Sequence, residues 1–164
     1  MSLTTIPTKR LFLRPFESTD GPAYSEALSL SLEQAQEFVD KSVAFLAAAP
    51  PETLPSSFAI TLRAGGQFIG HCHLGPERGD PTHADITFTL SRTYWGQGYA
   101  TEAVRALLRY GFEQQNLQCL FAECQPENLA AKRVLEKVGM QLTEPISRES
   151  SDAAHLRFAL QSPD

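Results

Sequence analysis

The chain has 164 residues, 42% of them hydrophobic, a length and composition that fit one ordinary core spanning residues 1–164 and exclude disordered or collagen-like sequence. Fourteen Lys and Arg against nineteen Asp and Glu leave a net charge of −5, the wrong sign for a protein that lives on nucleic-acid phosphates and mildly suited to a cationic partner. The longest apolar run, Val43 to Ala49, is far too short for a membrane span and no signal-peptide core stands near Met1, so a soluble, unexported chain without membrane partners is expected.

In chain order, Leu11 to Phe16 reads as a short strand that Pro15 marks as an edge or an end. Asp20 is placed to cap a small helix around Ala23 to Leu28, with Pro22 in its first turn. Ser31 and Gln34 form a capping box, and Ala35, Phe38, Val39, Val43 and Leu46 then share a helical face until Pro50-Pro51 stops it. Phe58, Ile60 and Leu62 alternate with polar or small residues, and Ala64-Gly65-Gly66 turns the chain into Gln67 to Leu74, predicting an antiparallel hairpin. Gly75-Pro76 to Pro81 is expected to be a turn, and Ile86, Phe88 and Leu90 alternate in a further strand.

Beyond it, Ala100, Ala103, Val104, Leu107, Leu108, Gly111 and Phe112 mark one face of an amphipathic helix. Leu120 to Cys124 is a short buried strand, Asn128 caps a helix with Ala131, Val134, Leu135 and Val138 on its face, and Gly139 stands where a left-handed residue is wanted. Leu156, Phe158 and Leu160 alternate in a closing strand. The order is a mixed α/β pattern in which helices cover a sheet. Cys72, Cys119 and Cys124 are an odd set with no second pair at zinc spacing, so they read as reduced core residues of a cytoplasmic protein and no metal is expected.

The segment with the most chemistry is Trp95-Gly96-Gln97-Gly98-Tyr99-Ala100-Thr101-Glu102-Ala103, which runs from a strand through two glycines into a helix. Glycines let a backbone approach a ligand closely, and the first turn of a helix offers unpaired N–H groups at the positive end of its dipole. Such a turn holds a phosphate group, although the same pattern also serves as a tight turn with no ligand. It is not a Walker loop, since no Gly-Lys-Ser/Thr follows, and as a dinucleotide fingerprint it lacks the third glycine. Glu123, at the end of the next strand, is the feature that keeps a nucleotide reading open.

These residues resemble the coenzyme A loop of the GNAT superfamily of N-acetyltransferases, particularly its ribosomal-protein N-acetyltransferase-like (RimJ/RimL) branch. Thr8 to Pro15 is similar to that branch's opening strand, Phe68-Ile69-Gly70 to its third-strand signature and Ala84-Asp85-Ile86 to the start of its fourth strand. Tyr94 to Ala103 is close to its pyrophosphate loop, and Asn128 to Ala131 with Leu135 to Met140 resembles its later asparagine helix. The resemblance implies a mostly antiparallel central sheet, splayed between its fourth and fifth strands and carrying helices on both faces, with acetyl-CoA in the opening. It implies pantetheine pairing with main chain at Leu90 and Arg92, pyrophosphate on the amides of Gln97, Gly98, Tyr99, Ala100 and Thr101, Ser91 and Gly96 among the residues lining the cofactor, and Trp95 packing beside the loop rather than hydrogen-bonding. Asn128 would bond the pantetheine or a water near the thioester, with Ala131 and Arg133 on the same helix beside the cofactor, and a plain cap is compatible with that role.

The implied reaction is attack of a primary amine on the acetyl thioester, which needs a base for the ammonium and a proton for the leaving thiolate. Asp85, Glu123, His71 and His73 are the candidate bases, Asp85 first because this branch commonly carries an acid there. Where relatives place a tyrosine or serine to protonate the thiolate, this chain has Leu135 and Ala131, which leaves water, Ser91, Tyr94 or no dedicated acid. A non-catalytic acyl-CoA-binding module is therefore the alternative to an N-acetyltransferase. The connection between the first two helices, Ser29 to Ser31, is short and implies an open acceptor site. Residues Thr143 to Ala154 would cross to a partner or fold over the substrate, and the sequence leaves monomer and homodimer open.

Overall fold

The structure is a computed structural model that describes residues 4–50, 53–77, 79–143 and 155–163. Its elements are β1 (Ile6–Pro7), β2 (Leu11–Arg14), α1 (Gly21–Leu28), α2 (Leu32–Ala48), β3 (Ser57–Leu62), β4 (Phe68–Glu77), β5 (Asp80–Leu90), α3 (Tyr99–Glu113), β6 (Cys119–Cys124), α4 (Leu129–Lys137), β7 (Gln141–Leu142) and β8 (Leu156–Gln161). The strands hydrogen-bond in the order β1-β2-β3-β4-β5-β6-β8-β7. β5 and β6 pair parallel, whereas β1–β2, β2–β3, β3–β4, β6–β8 and β7–β8 pair antiparallel. The expected mixed α/β fold with a mostly antiparallel sheet is thus present. The chain falls into two compact units, one running to His73 and including Phe88–Ala106, the other made of Leu74–Thr87 and the chain from Leu107 onward.

In the first unit, the alternation of β2 buries Leu11 and Leu13 and leaves Phe12 and Arg14 on the other face. Phe16, Tyr24, Ala35, Val39, Ala59 and Phe68 form the core that α1 and α2 cover. Asp20 precedes α1 as expected, but its carboxylate does not cap that helix. It accepts from both terminal nitrogens of Arg14 (2.9 and 2.8 Å) and from the Glu17 N–H (2.7 Å), so a nearly buried charge is fully paired. Ser31 makes the expected capping box, its Oγ accepting from the Gln34 N–H at 3.1 Å, and only Ser29 to Ser31 separate the two helices. Gly70 has a steric reason to be glycine, since a Cβ there would fall 2.1 Å from the Thr89 carbonyl oxygen on β5.

In the second unit, Leu120 and Ala122 of β6 and Phe158 of β8 are buried on one face, and Gly111 of α3 approaches Leu120, Leu117 and Leu74 closely. Asn128 caps α4, its Oδ1 accepting from the Ala131 N–H at 3.1 Å, and Gly139 follows the helix with φ +91°. Arg157 of β8 pairs with Glu77 and lies over the Phe121 ring, 3.9 Å from its centroid.

One further expectation needs correction. The turn placed from Gly75-Pro76 to Pro81 is far tighter, because β4 continues to Glu77 and β5 begins at Asp80. Gly79, at φ +92°, makes the reversal, and Pro76 and Pro81 sit at strand ends, where a missing ladder donor costs little. The two-residue strands β1 and β7 were not foreseen, being too short to show a period. The tail expectation falls largely on residues 144–154, outside the described residues.

Candidate active site

The glycine segment belongs to the first unit and is assembled from β5 outward. Where β5 ends, the Ser91 N–H donates to the Ile69 carbonyl at 2.8 Å, tying the exit of β5 to β4. A single 3-10 turn over Arg92–Tyr94 follows. The Trp95 N–H donates to the Arg92 carbonyl (3.1 Å) and the Trp95 indole N–H to the Leu90 carbonyl (2.9 Å). The expectation that Trp95 packs beside the loop without hydrogen-bonding is corrected: its indole N–H bridges back to the strand end while the residue remains 55% exposed.

Gly96 and Gly98 have φ of +74° and +82°, the left-handed region in which a side chain is strained. α3 starts at once at Tyr99, and its first capping bond runs from the Glu102 N–H to the Gly98 carbonyl at 3.1 Å. The amides of Tyr99, Ala100 and Thr101 precede that bond, at the positive end of the helix dipole. Gly96, Gln97 and Gly98 are exposed, and a Cβ built on Gly96 would meet open space. An open, positively poled backbone turn of this kind fits a diphosphate group.

A bracing network around this turn was missed by the sequence reading. Glu102 Oε1 accepts from the Thr8 hydroxyl (2.6 Å) and the Arg10 backbone N–H (2.7 Å), and Oε2 accepts from Arg10 Nε (2.7 Å). Arg10 Nη1 donates to the Gln97 carbonyl (2.9 Å), and the guanidinium lies over the Tyr99 ring, 4.2 Å from its centroid. Desolvation disfavours the Glu102 anion, but the Thr8 and Arg10 hydrogen bonds outweigh it and hold the carboxyl below the usual carboxylate range. Thr8, Arg10 and Glu102 all lie in quoted motifs, yet a pairing across some ninety residues (|i−j| = 92) leaves no local signal.

The histidines of β4 also lie in the first unit, half-buried on the face opposite Cys72. His71 Nδ1 is 3.5 Å from the Tyr24 hydroxyl, and His73 Nδ1 is 2.7 Å from Ser57 Oγ. Burial pushes the His71 pKa down to about 4, with the nearby His73 adding to the effect, and burial also lowers His73. A cavity of about 380 Å³ opens beside His73, with Phe16, Phe38, Phe45, Lys41 and Ser57 among its walls.

The remaining candidates belong to the second unit. Asp85 lies opposite Phe121 in the parallel β5–β6 register, so Asp85, Phe121 and Glu123 share a face, and both acids are half-buried. The register ends at Ile86 and Ala122, while β5 runs on to Leu90. Asn128 and Arg133 are exposed, Ala131 is half-buried, and Leu135 is fully buried.

Residues 10–141 match the model of the acetyltransferase (GNAT) domain. Over 148 residues the chain is 34% identical to the uncharacterised N-acetyltransferase YnaD of Bacillus subtilis (strain 168), covering 83% of this chain and 82% of that protein. The crystal structure of a GNAT-family acetyltransferase from Bacillus anthracis superposes with a TM-score of 0.81 at 26% identity, over 96% of this chain and 98% of that one. RimL, the ribosomal L7/L12 alpha-N-protein acetyltransferase solved with coenzyme A, shares the fold with a TM-score of 0.76 at 15% identity, over 97% and 98% of the two chains. The chain therefore belongs to the GNAT acetyltransferases, a family of acyltransferases. No helix among the described residues is long and apolar enough to cross a membrane.

Proposed function

We propose that the chain, as a single domain over residues 1–164, carries the acetyl group of acetyl-CoA to a primary amine, on a protein N-terminus or a small molecule, and that it belongs to the RimJ/RimL-like branch. The observation that carries this reading is the turn from Leu90 to Thr101, where two left-handed glycines deliver the chain into the first turn of α3. The amides from Gln97 to Thr101 would hold the diphosphate, with Gly96 leading into them. Main chain at Leu90 and Arg92, either side of Ser91, would pair with the pantetheine, the Leu90 and Arg92 carbonyls each keeping a second lone pair beyond their bond from Trp95. Asn128, with Ala131 and Arg133 beside it, would meet the pantetheine end.

Bound acetyl-CoA supplies an acyl group already activated as a thioester. The chain's own task is to present the amine in neutral form, and Asp85 is the first candidate for removing the ammonium proton, with Glu123 second on the same face. Both are carboxylates on strands, able to act directly or through water. His71, with its pKa near 4, is neutral at pH 7 and too weak a base to take that proton efficiently. Thiolate protonation falls to Ser91, Tyr94 or water, since Leu135 is wholly buried hydrocarbon and Ala131 carries only a methyl group.

Buried, unbridged Cys72, Cys119 and Cys124 support a reducing, cytoplasmic setting. The test is release of free thiol from acetyl-CoA on addition of amine. Amine-dependent release is the expected result, and its loss in Asp85→Asn would assign the base. CoA binding with no release for any of a broad amine panel would instead identify a non-catalytic acyl-CoA-binding module.

A further inference from the structure

Glu102 stands in the first turn of α3, where a carboxylate favours the helix but opposes a second anion bound at the same terminus. A diphosphate on the Gln97 to Thr101 amides would meet that charge. Arg10 answers it from outside the loop: its Nε and backbone N–H engage both oxygens of Glu102, its Nη1 fixes the Gln97 peptide, and its guanidinium covers the Tyr99 ring. The contact is close, since a Cβ on Gly98 would come within 3.3 Å of Arg10 Nη2.

We infer that Arg10, beyond bracing the Gln97–Gly98 turn, is a positioning residue of the coenzyme A loop that cancels the Glu102 charge, which would otherwise repel the diphosphate. This rests on the reading of the loop as the coenzyme A site. Two consequences follow from electrostatics. Removing Arg10 exposes an anion to an anion, a penalty that salt screens. Removing the Glu102 charge while Arg10 stays leaves a surplus cation beside the loop, so that variant gains affinity rather than losing it.

The experiment is calorimetric titration of CoA into the wild-type chain, Arg10→Ala, Glu102→Gln and the double variant, at about 20 mM and about 500 mM salt, where the screening length shrinks several-fold. Melting temperatures of all four report folding. Arg10→Ala is expected to weaken CoA about tenfold at low salt and about twofold at high salt, the screened behaviour of a solvent-accessible charge. Glu102→Gln tightens CoA a few-fold at low salt, and the double variant recovers most of the loss seen with Arg10→Ala. A loss with Arg10→Ala that is equal at both salts, or a weakening with Glu102→Gln, overturns the inference and makes the network a structural brace alone. If Arg10→Ala fails to fold, Glu102→Gln still decides, because a brace predicts weaker binding and charge cancellation predicts tighter. Wild-type protein that does not bind CoA overturns the reading of the loop itself, a separate and earlier result.

Discussion

On β4, His71 lies among the rings of Phe16, Tyr24 and Phe38, with centroids 5.4 to 6.2 Å from its own, and burial there is the main cause of a pKa near 4. The consequence for stability has a definite sign. Between the unfolded value of about 6.5 and the folded value, the unfolded chain takes up a proton that the native imidazole refuses, so stability falls as pH drops through that window and levels off below it. The effect on unfolding free energy between pH 7 and pH 5 is about 2 kcal/mol. Urea titrations of the wild type and His71→Phe should show that difference, with the Phe variant losing correspondingly less stability on acidification; equal losses would mean that His71 accepts a proton without penalty. Cys72, fully buried beside it in sequence, has its thiol pushed well up by burial and is inert packing rather than a nucleophile.

α4 shows how one side chain can serve an element and a site together. Asn128 Oδ1 is engaged by the Ala131 N–H, whereas its amide nitrogen is what a ligand acceptor would use. Two substitutions separate these functions. Asn128→Ala removes both and should cost about 1 kcal/mol of stability through the lost cap. Asn128→Ser keeps a capping oxygen and should hold stability to within a few tenths of a kcal/mol while losing the amide. Thermal melts and CoA titrations on both variants test the assignment: a Ser variant that binds CoA as well as wild type would reduce Asn128 to a cap. Elements such as α4 were legible because their signals are local, as were the capping box of α2 and the left-handed Gly139. The β4–β5 reversal was less so, because two prolines and two glycines in seven residues read as an extended loop, although the prolines occupy strand ends.

At the scale of the whole chain, a ligand that binds only the folded state stabilises it by the logarithm of its concentration over Kd, about 2.7 kcal/mol at a hundredfold excess. For a chain of this length that amounts to a rise of about 5 to 10 °C in Tm. Acetyl-CoA and CoA should both produce it and NAD and ATP should not; a response to NAD or ATP with none to CoA would refute the cofactor assignment. The element order, the two motifs and the glycine turn were readable because each is written in adjacent residues. What could not be read were pairings set by tertiary structure: Asp20 turning from its helix to Arg14, Trp95 bonding back to Leu90, and Thr8 and Arg10 gripping Glu102. Asp85 and Glu123 carry no local mark for the same reason: in sequence each is an ordinary polar strand position, and only the parallel register puts the two on one face.

Trp95 is the chain's one tryptophan, and its indole is more than half exposed at the mouth of the glycine turn. Its ultraviolet emission therefore comes from a single, known place, free of any second indole. The protein carries its own optical gauge of that turn: a molecule settling over Gly96 and Gln97 alters the solvent around the ring, and stopped-flow fluorescence can time its arrival and departure without a dye.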